Sequence, residues 1–159
     1  MESLTQSGLS CTYVLLPQLT PILQRASLVL LGASALHSDG ALYSRAGTAV
    51  VATLAKEHRV PVVACVETYK FGERVVLDSM ASNELGDAGV LLDIPANKAL
   101  GVKKPLSTHL TPLSLMYDLT PPSLITAVCT EVSVMKKSFL ARLTKDRVHP
   151  SQFRSDRLG

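Results

Sequence analysis

The stretch from residue 31 to residue 48 holds side chains whose types and spacing suit anion binding. They follow an apolar run and lead into a helical pattern, and they are Ser34, Asp39, Ser44, Arg45, Gly47 and Thr48. Backbone N–H groups at a helix start, together with hydroxyls and an arginine, favour a phosphate-sized anion. A purely structural role is the alternative, in which Gly47 permits close packing, Thr48 bonds locally and Arg45 pairs with Asp39.

A second polar group follows the apolar run at residues 60–66. Its members combine aromatic rings with charges of both signs, and they are Tyr69, Lys70, Phe71, Glu73 and Arg74. Exposed aromatic residues beside charges are typical of protein interfaces, so this group is a candidate partner contact. A solvated loop of alternating charge is the alternative.

The cysteines and histidines do not have the spacing of a metal site. The three cysteines, Cys11, Cys65 and Cys129, are far apart and lie in apolar sequence, and the four histidines are scattered. We therefore expect no metal, no cofactor and inert, buried thiols, in a reducing, cytoplasmic compartment. The longest apolar stretch, residues 28–35, is much shorter than the ~20 residues of a membrane span, so no membrane partner is expected.

The composition predicts one globular domain. The chain has 159 residues, of which 47% are apolar and 4% aromatic, and it lacks tryptophan. A core of branched aliphatic side chains suits a parallel sheet covered by helices. The net charge of +3 is mild and disfavours nucleic acid as a partner. Cations concentrate near the end, which we interpret as a basic tail at 144–159; binding of RNA by this tail is the alternative.

The first half of the chain shows the rhythm of a βαβ fold. The pattern predicts strands at 12–16, 28–31 and 60–66 and helices at 19–26 and 44–58, with Thr20-Pro21 starting the first helix. The predicted fold class is α/β, a three-layer Rossmann-like domain with a mainly parallel sheet. Since ligands bind beyond the carboxyl ends of such strands, both candidate groups should lie at one edge of the sheet.

The second half is less regular. The pattern at 75–110 predicts a long irregular segment, with a helical turn near 78–81. A strand is expected at 115–118, a helix at 122–132 behind Thr120-Pro121, and a final strand within 134–143. We therefore divide the chain into 1–10, a preceding segment; 11–143, the Rossmann-like domain; and 144–159, the tail.

Several of these stretches resemble the regulatory subunits (alpha, beta and delta) of translation initiation factor 2B, in their C-terminal Rossmann-like domain. The likeness is carried by residues 11–17, 31–48, 61–74, 82–85 and 117–122. The sequence Glu67-Thr68-Tyr69-Lys70-Phe71, and the Ser-Asn-Glu-Leu at 82–85, are typical of the delta type. The family has a helical domain in front of this one, so the resemblance implies that residues 1–10 are its remnant.

The resemblance implies a non-catalytic regulatory role. Subunits of this family form the core of a guanine nucleotide exchange complex that acts on initiation factor 2. The expected partners are therefore the other factor 2B subunits and initiation factor 2, with a homodimer possible in isolation.

The same superfamily includes aldose-phosphate isomerases, which need an aspartate directly after a Gly-Ala pair and a cysteine further upstream. The aspartate position here is Ser34, which is no acid or base near neutral pH, and the upstream cysteine has no counterpart. We therefore predict that the chain is not an enzyme. The alternative is a sugar-phosphate or nucleotide-binding module, in which Asp39-Gly40 and the segment from Ser44 to Thr48 replace the isomerases' Asn-Gly turn and Asn-Lys-x-Gly-Thr helix start.

Overall fold

Two small β-sheets and one long helix form the framework of the chain. The computed structural model describes residues 2–72, 80, 83–87, 89–92, 109 and 111–136. The helices are α1 (Glu2–Gln6), α2 (Leu19–Leu23), α3 (Thr48–Glu57) and α4 (Gly89–Leu92), and single 3-10 turns span Leu16–Gln18, Thr68–Lys70 and Pro122–Leu124. The strands are β1 (Val29–Gly32), β2 (Ala35–Leu36), β3 (Leu42–Arg45), β4 (Val62–Cys65), β5 (Tyr117–Thr120), β6 (Ala127–Cys129) and β7 (Val134–Lys136).

The larger sheet has the strand order β1-β4-β6-β7 and is mainly parallel. Strands β1, β4 and β6 run parallel, and β7 is antiparallel to β6. Helix α3 connects β1 to β4 in sequence and contacts both strands. This arrangement confirms the predicted α/β class with a mainly parallel sheet.

The smaller sheet is antiparallel and has the order β2-β3-β5. It is formed by the hairpin at residues 35–45 and by β5, which returns from the second half of the chain. Its inner face carries Leu36, Leu42 and Thr120, which are nearly or fully buried. The smaller sheet therefore packs its apolar face into the same core as the larger one.

The core lies on one face of the larger sheet. Side chains that alternate along each strand point inward and are held in register, namely Val29, Leu31, Val62, Ala64, Val128 and Met135. Ala52 and Ala55 of α3 are fully buried against this side. Small and branched side chains let the helix lie close to the sheet.

The opposite face of the larger sheet is uncovered by the described residues. Leu30 is 64% exposed there, Val134 is 68% exposed, and Cys65 is also exposed. We call this surface the outer sheet face. No helix within the described ranges is long and apolar enough to span a membrane.

Three predictions for the first half need correction. The strand expected at 12–16 is wrong, because residues 11–15 have no strand partner and Tyr13 is 75% exposed. A short helix does form near residues 19–26, but it is capped by Gln18 without a side-chain bond, and not by Thr20. The helix expected from residue 44 begins only at Thr48, because Gly47 has a φ of 104° and breaks the helical backbone.

The second half departs further from expectation. The helix predicted at 122–132 is wrong, since a 3-10 turn gives way to β6, whose Val128 is fully buried beside β4. The strand expected at 115–118 forms two residues later and joins the smaller sheet. β7 confirms the start of the last predicted strand, whereas its remainder, the basic tail and most of 75–110 lie outside the described residues.

The expectation of buried thiols is also wrong. Cys65 is exposed, and Cys11 and Cys129 are partly exposed. Cys129 lies in β6 rather than in a helix. Both strand cysteines point to the outer sheet face, which explains why apolar neighbours in sequence do not bury them.

The residue that follows the end of α3 has an unusual backbone conformation. Arg59 has a φ of 58°, its N–H donates to the carbonyl of Lys56, and the N–H of Val60 donates to the carbonyl of Ala55. This pattern is the Schellman motif, in which glycine normally occupies the left-handed position. Arginine there is strained, because its Cβ crowds the backbone.

Replacing Arg59 with glycine should therefore stabilise the protein by about 1 kcal/mol, as judged by urea or thermal unfolding. The matched control is Lys56→Gly, which lies inside α3 and should destabilise the fold by about 1 kcal/mol. Destabilisation by both variants would show that Arg59 is not strained.

Candidate functional site

The start of α3, expected to bind phosphate, holds a carboxylate of the chain itself. Oδ2 of Asp118 accepts hydrogen bonds from the N–H groups of Gly47 at 2.7 Å and Ala49 at 3.0 Å. These are donors that a bound phosphate would need. Asp118 comes from β5, so it also ties the smaller sheet to the helix. Its second oxygen, Oδ1, is buried and has no hydrogen-bond partner among the described residues.

The structure separates Ser44 from Arg45. Both lie in β3, where neighbouring side chains point to opposite faces of the sheet. Ser44 is buried, and its hydroxyl donates to the carbonyl of Gly32 at 3.1 Å. Arg45 is exposed, with its guanidinium carbon 5.5 Å from the ring centre of Tyr117. The two residues therefore do not converge on one ligand.

The remaining predicted anion ligands have local partners. The hydroxyl of Thr48 donates to the carbonyl of Arg45 at 2.6 Å. Oδ1 of Asp39 accepts from the N–H of Ala41 at 2.9 Å and stabilises the β2–β3 hairpin turn. Ser34 is exposed, and its N–H donates to the carbonyl of Tyr43 at 2.9 Å. The local bond of Thr48 agrees with the structural alternative, whereas Asp39 bonds to its own turn rather than to Arg45.

The backbone conformation of Gly47 favours glycine, and a larger residue would also crowd a neighbouring side chain. Its φ of 104° lies in the region that favours glycine, and an added Cβ would lie 3.2 Å from the Leu16 side chain. The close approach is therefore between the helix start and the turn at residues 16–18.

Aromatic side chains line the face of the smaller sheet that is opposite Leu42 and Ser44. The rings of Tyr43 and Tyr117 stack with centres 4.7 Å apart and planes 17° apart, and His37 meets Tyr43 edge-on at 5.9 Å. Burial raises the pKa of Tyr43, and the nearby Glu84 carboxylate and Tyr117 raise it further. The Tyr43 hydroxyl therefore stays protonated near neutral pH and is not suited to act as a base.

Asn83 holds the start of β5 by pairing with its backbone. Its Nδ2 donates to the carbonyl of Tyr117 at 2.6 Å, and its Oδ1 accepts from the N–H of the same residue at 3.1 Å. The N–H of Met116 donates to the carbonyl of Glu84 at 2.9 Å. The side chain thus acts as an added strand segment that positions Tyr117 and Asp118.

The candidate partner contact lies just beyond β4. Tyr69 is 79% exposed, and Lys70 forms a 2.7 Å ion pair with Glu67. Phe71 packs against the core instead, and its neighbour Gly72 donates to the carbonyl of Leu36. Glu73 and Arg74 lie outside the described residues. Of this group, Tyr69 is the described side chain that presents most surface to a partner.

A carboxylate from the neighbouring strand holds this turn in place. Glu131 follows β6 and accepts hydrogen bonds from the N–H and the hydroxyl of Thr68. The Thr68 hydroxyl is the main cause that lowers the pKa of Glu131, and Lys70 likewise lowers the pKa of Glu67.

The Glu131 bond should therefore weaken in acid. A carboxylate whose pKa is lowered in the folded state contributes stability above the ordinary glutamate value of 4.5, and this is lost as the pH falls through the lowered pKa. In an NMR pH titration, the amide shift of Thr68 should change with a midpoint below 4.5. Glu131→Gln should abolish this titration, and a midpoint at or above the ordinary value would contradict the account.

The residues of this region that the sequence analysis did not single out are Asp118, which binds the start of α3, and Asn83 and Tyr117, which support it. The sequence Tyr117-Asp118 stands shortly before Thr120-Pro121. Nothing in this local sequence indicates that Asp118 binds the start of a helix about 70 residues earlier. A cleft of about 440 Å³ does exist, but it lies at the opposite end of the larger sheet, between Lys56, Arg59 and the turn before β6. In the part of the chain described, no three metal-ligating side chains cluster.

Comparisons with known proteins give the family of this chain. The model of the Initiation factor 2 subunit family matches residues 1–137. The chain is 41% identical over 140 residues to translation initiation factor eIF2B subunit delta of Schizosaccharomyces pombe, covering 85% of this chain and 30% of that protein. It is 39% identical over 140 residues to the delta subunit of Dictyostelium discoideum, covering 85% and 22%.

More distant similarity extends to enzymes. The chain is 28% identical over 137 residues to ribose 1,5-bisphosphate isomerase of Pyrococcus furiosus, covering 84% of this chain and 40% of the enzyme. Compared with the two delta subunits named above, the chain spans less than a third of the length of each.

Solved structures share the fold. The crystal structure of eIF-2B subunit delta from A. fulgidus superposes with a TM-score of 0.71 at 21% identity, covering 91% of this chain and 42% of that one. A subunit of the tetrameric eIF2B-beta2-delta2 complex from C. thermophilum superposes with a TM-score of 0.63 at 21% identity, covering 92% and 40%.

Proposed function

The chain belongs to the initiation factor 2 subunit family, and from this premise we propose that it is a non-catalytic, delta-like regulatory subunit of the guanine nucleotide exchange complex of translation initiation. The observation that carries the proposal is the family match over residues 1–137, with 41% identity to a delta subunit. Such a role would be exerted in the cytoplasm, by assembly with the other factor 2B subunits and by contact with initiation factor 2.

The geometry supports the non-catalytic part of the proposal. Ser34 stands where the related isomerases are expected to carry an aspartate, and a serine hydroxyl is no acid or base near neutral pH. Asp118, the carboxylate at the helix start, is already bonded to two backbone N–H groups. Neither residue is placed to move protons between neighbouring carbons of a sugar.

Assembly through the turn beyond β4 is the second part of the proposal. Tyr69 offers an exposed ring on a turn that the Glu131 contact and the Glu67–Lys70 pair hold in shape. A preformed aromatic anchor loses little side-chain entropy when a partner covers it. We propose this turn as a contact with a sister subunit.

Co-purification tests this assembly. The full chain, tagged and mixed with cytosolic extract, should retain the beta-type subunit and initiation factor 2, as identified by mass spectrometry. Tyr69→Ala should lower the retained beta-type subunit by about tenfold, as expected for an interface anchor. Tyr13→Ala is the matched control, because that ring is equally exposed on another segment, and it should retain the partners. Recovery of no factor 2B subunit by the unaltered chain would overturn the proposal.

A sugar-phosphate or nucleotide-binding module is the second candidate, which the distant similarity to ribose 1,5-bisphosphate isomerase favours. A bound ligand raises the unfolding temperature. Because Asp118 occupies the helix start, we expect no shift with ribose 1,5-bisphosphate or a nucleoside monophosphate at millimolar concentration. A shift that Arg45→Ala abolishes would instead support this second candidate.

A further inference from the structure

Two thiols stand side by side at the carboxyl end of the larger sheet. Cys65 ends β4, Cys129 ends β6, and the two residues are register partners on parallel strands. Neighbouring strands lie about 4.8 Å apart, which falls within the Cα separation of about 4.4 to 6.8 Å that disulfides span. Because register partners point to the same face, both sulfurs lie on the outer sheet face.

Both thiols are accessible to a small reagent. Cys65 is exposed and Cys129 is partly exposed. The register partner on the other side of Cys65 is Gly32, where an added Cβ would meet no atom within 4 Å. An accessible thiol with a second thiol beside it has the arrangement in which the second thiol can resolve a mixed disulfide formed on the first.

The backbone around the pair is already fixed. The N–H of Val66 donates to the carbonyl of Cys129 at 2.9 Å, and Glu131 binds Thr68 in the following loop. The two strand ends therefore cannot separate without breaking these bonds. Closure of a disulfide needs rotation of two side chains and little movement of the backbone.

We propose that Cys65 and Cys129 form a redox pair that closes reversibly to an intrachain disulfide when a low-molecular-weight disulfide oxidises it. The thiolate of Cys65 attacks one sulfur of the small disulfide and releases one small thiolate. The thiolate of Cys129 then attacks the sulfur of Cys65 and releases the second. Two protein thiols are oxidised, and the small disulfide is reduced to two thiols.

The closed form should be easily reduced. The pair lies on the outer sheet face, where Cys65 is exposed. Exposed disulfides have more oxidising potentials than buried structural ones, so a small dithiol reduces them readily. This inference concerns the chain alone and does not depend on the proposed function.

The test is oxidation of the full, folded chain with glutathione disulfide, followed by alkylation of free thiols and peptide mass mapping. We expect a Cys65–Cys129 cross-link, loss of two hydrogens in intact mass, and alkylated Cys11. Cys129→Ser should instead hold glutathione on Cys65, and Cys11→Ser, the matched control, should still cross-link. Dithiothreitol should restore all thiols.

Three outcomes would overturn the proposal. The first is a stable mixed disulfide on Cys65 in the unaltered chain, which would mean that Cys129 cannot reach it. The second is a cross-link to Cys11, and the third is no reaction of either strand thiol. Oxidation of the chain in denaturant is the control for chance pairing of the three cysteines. In the unfolded chain the preference for the Cys65–Cys129 cross-link should disappear, because the fold no longer holds the two thiols together.

Discussion

Asp118→Ala is expected to lower the free energy of unfolding by about 2 to 3 kcal/mol, because it removes two charge-assisted hydrogen bonds and a favourable charge at a helix start. The two N–H donors of Gly47 and Ala49 would be left without their protein partner. The bonds also join β5 to α3, so their loss loosens the smaller sheet from the helix. Urea unfolding followed by circular dichroism measures the change.

Two further variants show how much of this loss comes from the charge of Asp118 and how much is specific to its place at the helix start. Asp118→Asn keeps an acceptor oxygen and loses the charge, so we expect a smaller loss of about 1 kcal/mol. Asp39→Ala removes a carboxylate that accepts a single backbone bond in a turn, and it should cost about 1 kcal/mol. If Asp118→Ala costs no more than Asp39→Ala, the cap on α3 is not the link between the smaller sheet and the helix.

Leu42→Ala should destabilise the protein by about 3 to 4 kcal/mol. This leucine of β3 is fully buried in the core that the two sheets share. Truncation removes apolar contacts and leaves a cavity that the strands on either side cannot close. Thermal unfolding of the variant measures the loss.

Leu30→Ala is the matched control, since it removes the same atoms from a strand of the larger sheet. Leu30 is 64% exposed on the outer sheet face. The change should therefore alter the free energy of unfolding by less than about 0.5 kcal/mol. Equal losses for the two leucines would mean that both faces of the larger sheet are packed.

The sequence predicted the central strands well because their signals are local. β1 and β4 are short runs of branched aliphatic residues, bounded by a turn or a proline, and such runs are typical of buried parallel strands. The position of α3 between them follows from its apolar spacing. Only its start was misplaced, because Ser44 and Arg45 also fit a helix until β3 pairs them with β5.

The errors arise where distant residues decide the structure. The sequence around residues 127–129 predicts a helix that begins after Thr120-Pro121. These residues form a strand instead, because their backbone pairs with the edge of β4. Asp118 lies 71 positions after Gly47, so no local pattern links the carboxylate to the helix start. The candidate anion ligands at 44 and 45 lie within β3, and the alternation of side chains along that strand separates Ser44 from Arg45.

Size-exclusion chromatography with light scattering of the purified chain mixed with a purified beta-type subunit tests the central claim, which is that the chain assembles with other factor 2B subunits. A single species heavier than either protein alone is predicted, and Tyr69→Ala should shift it toward the separate components. Contradiction would come from two proteins that elute apart at every concentration at which both stay in solution.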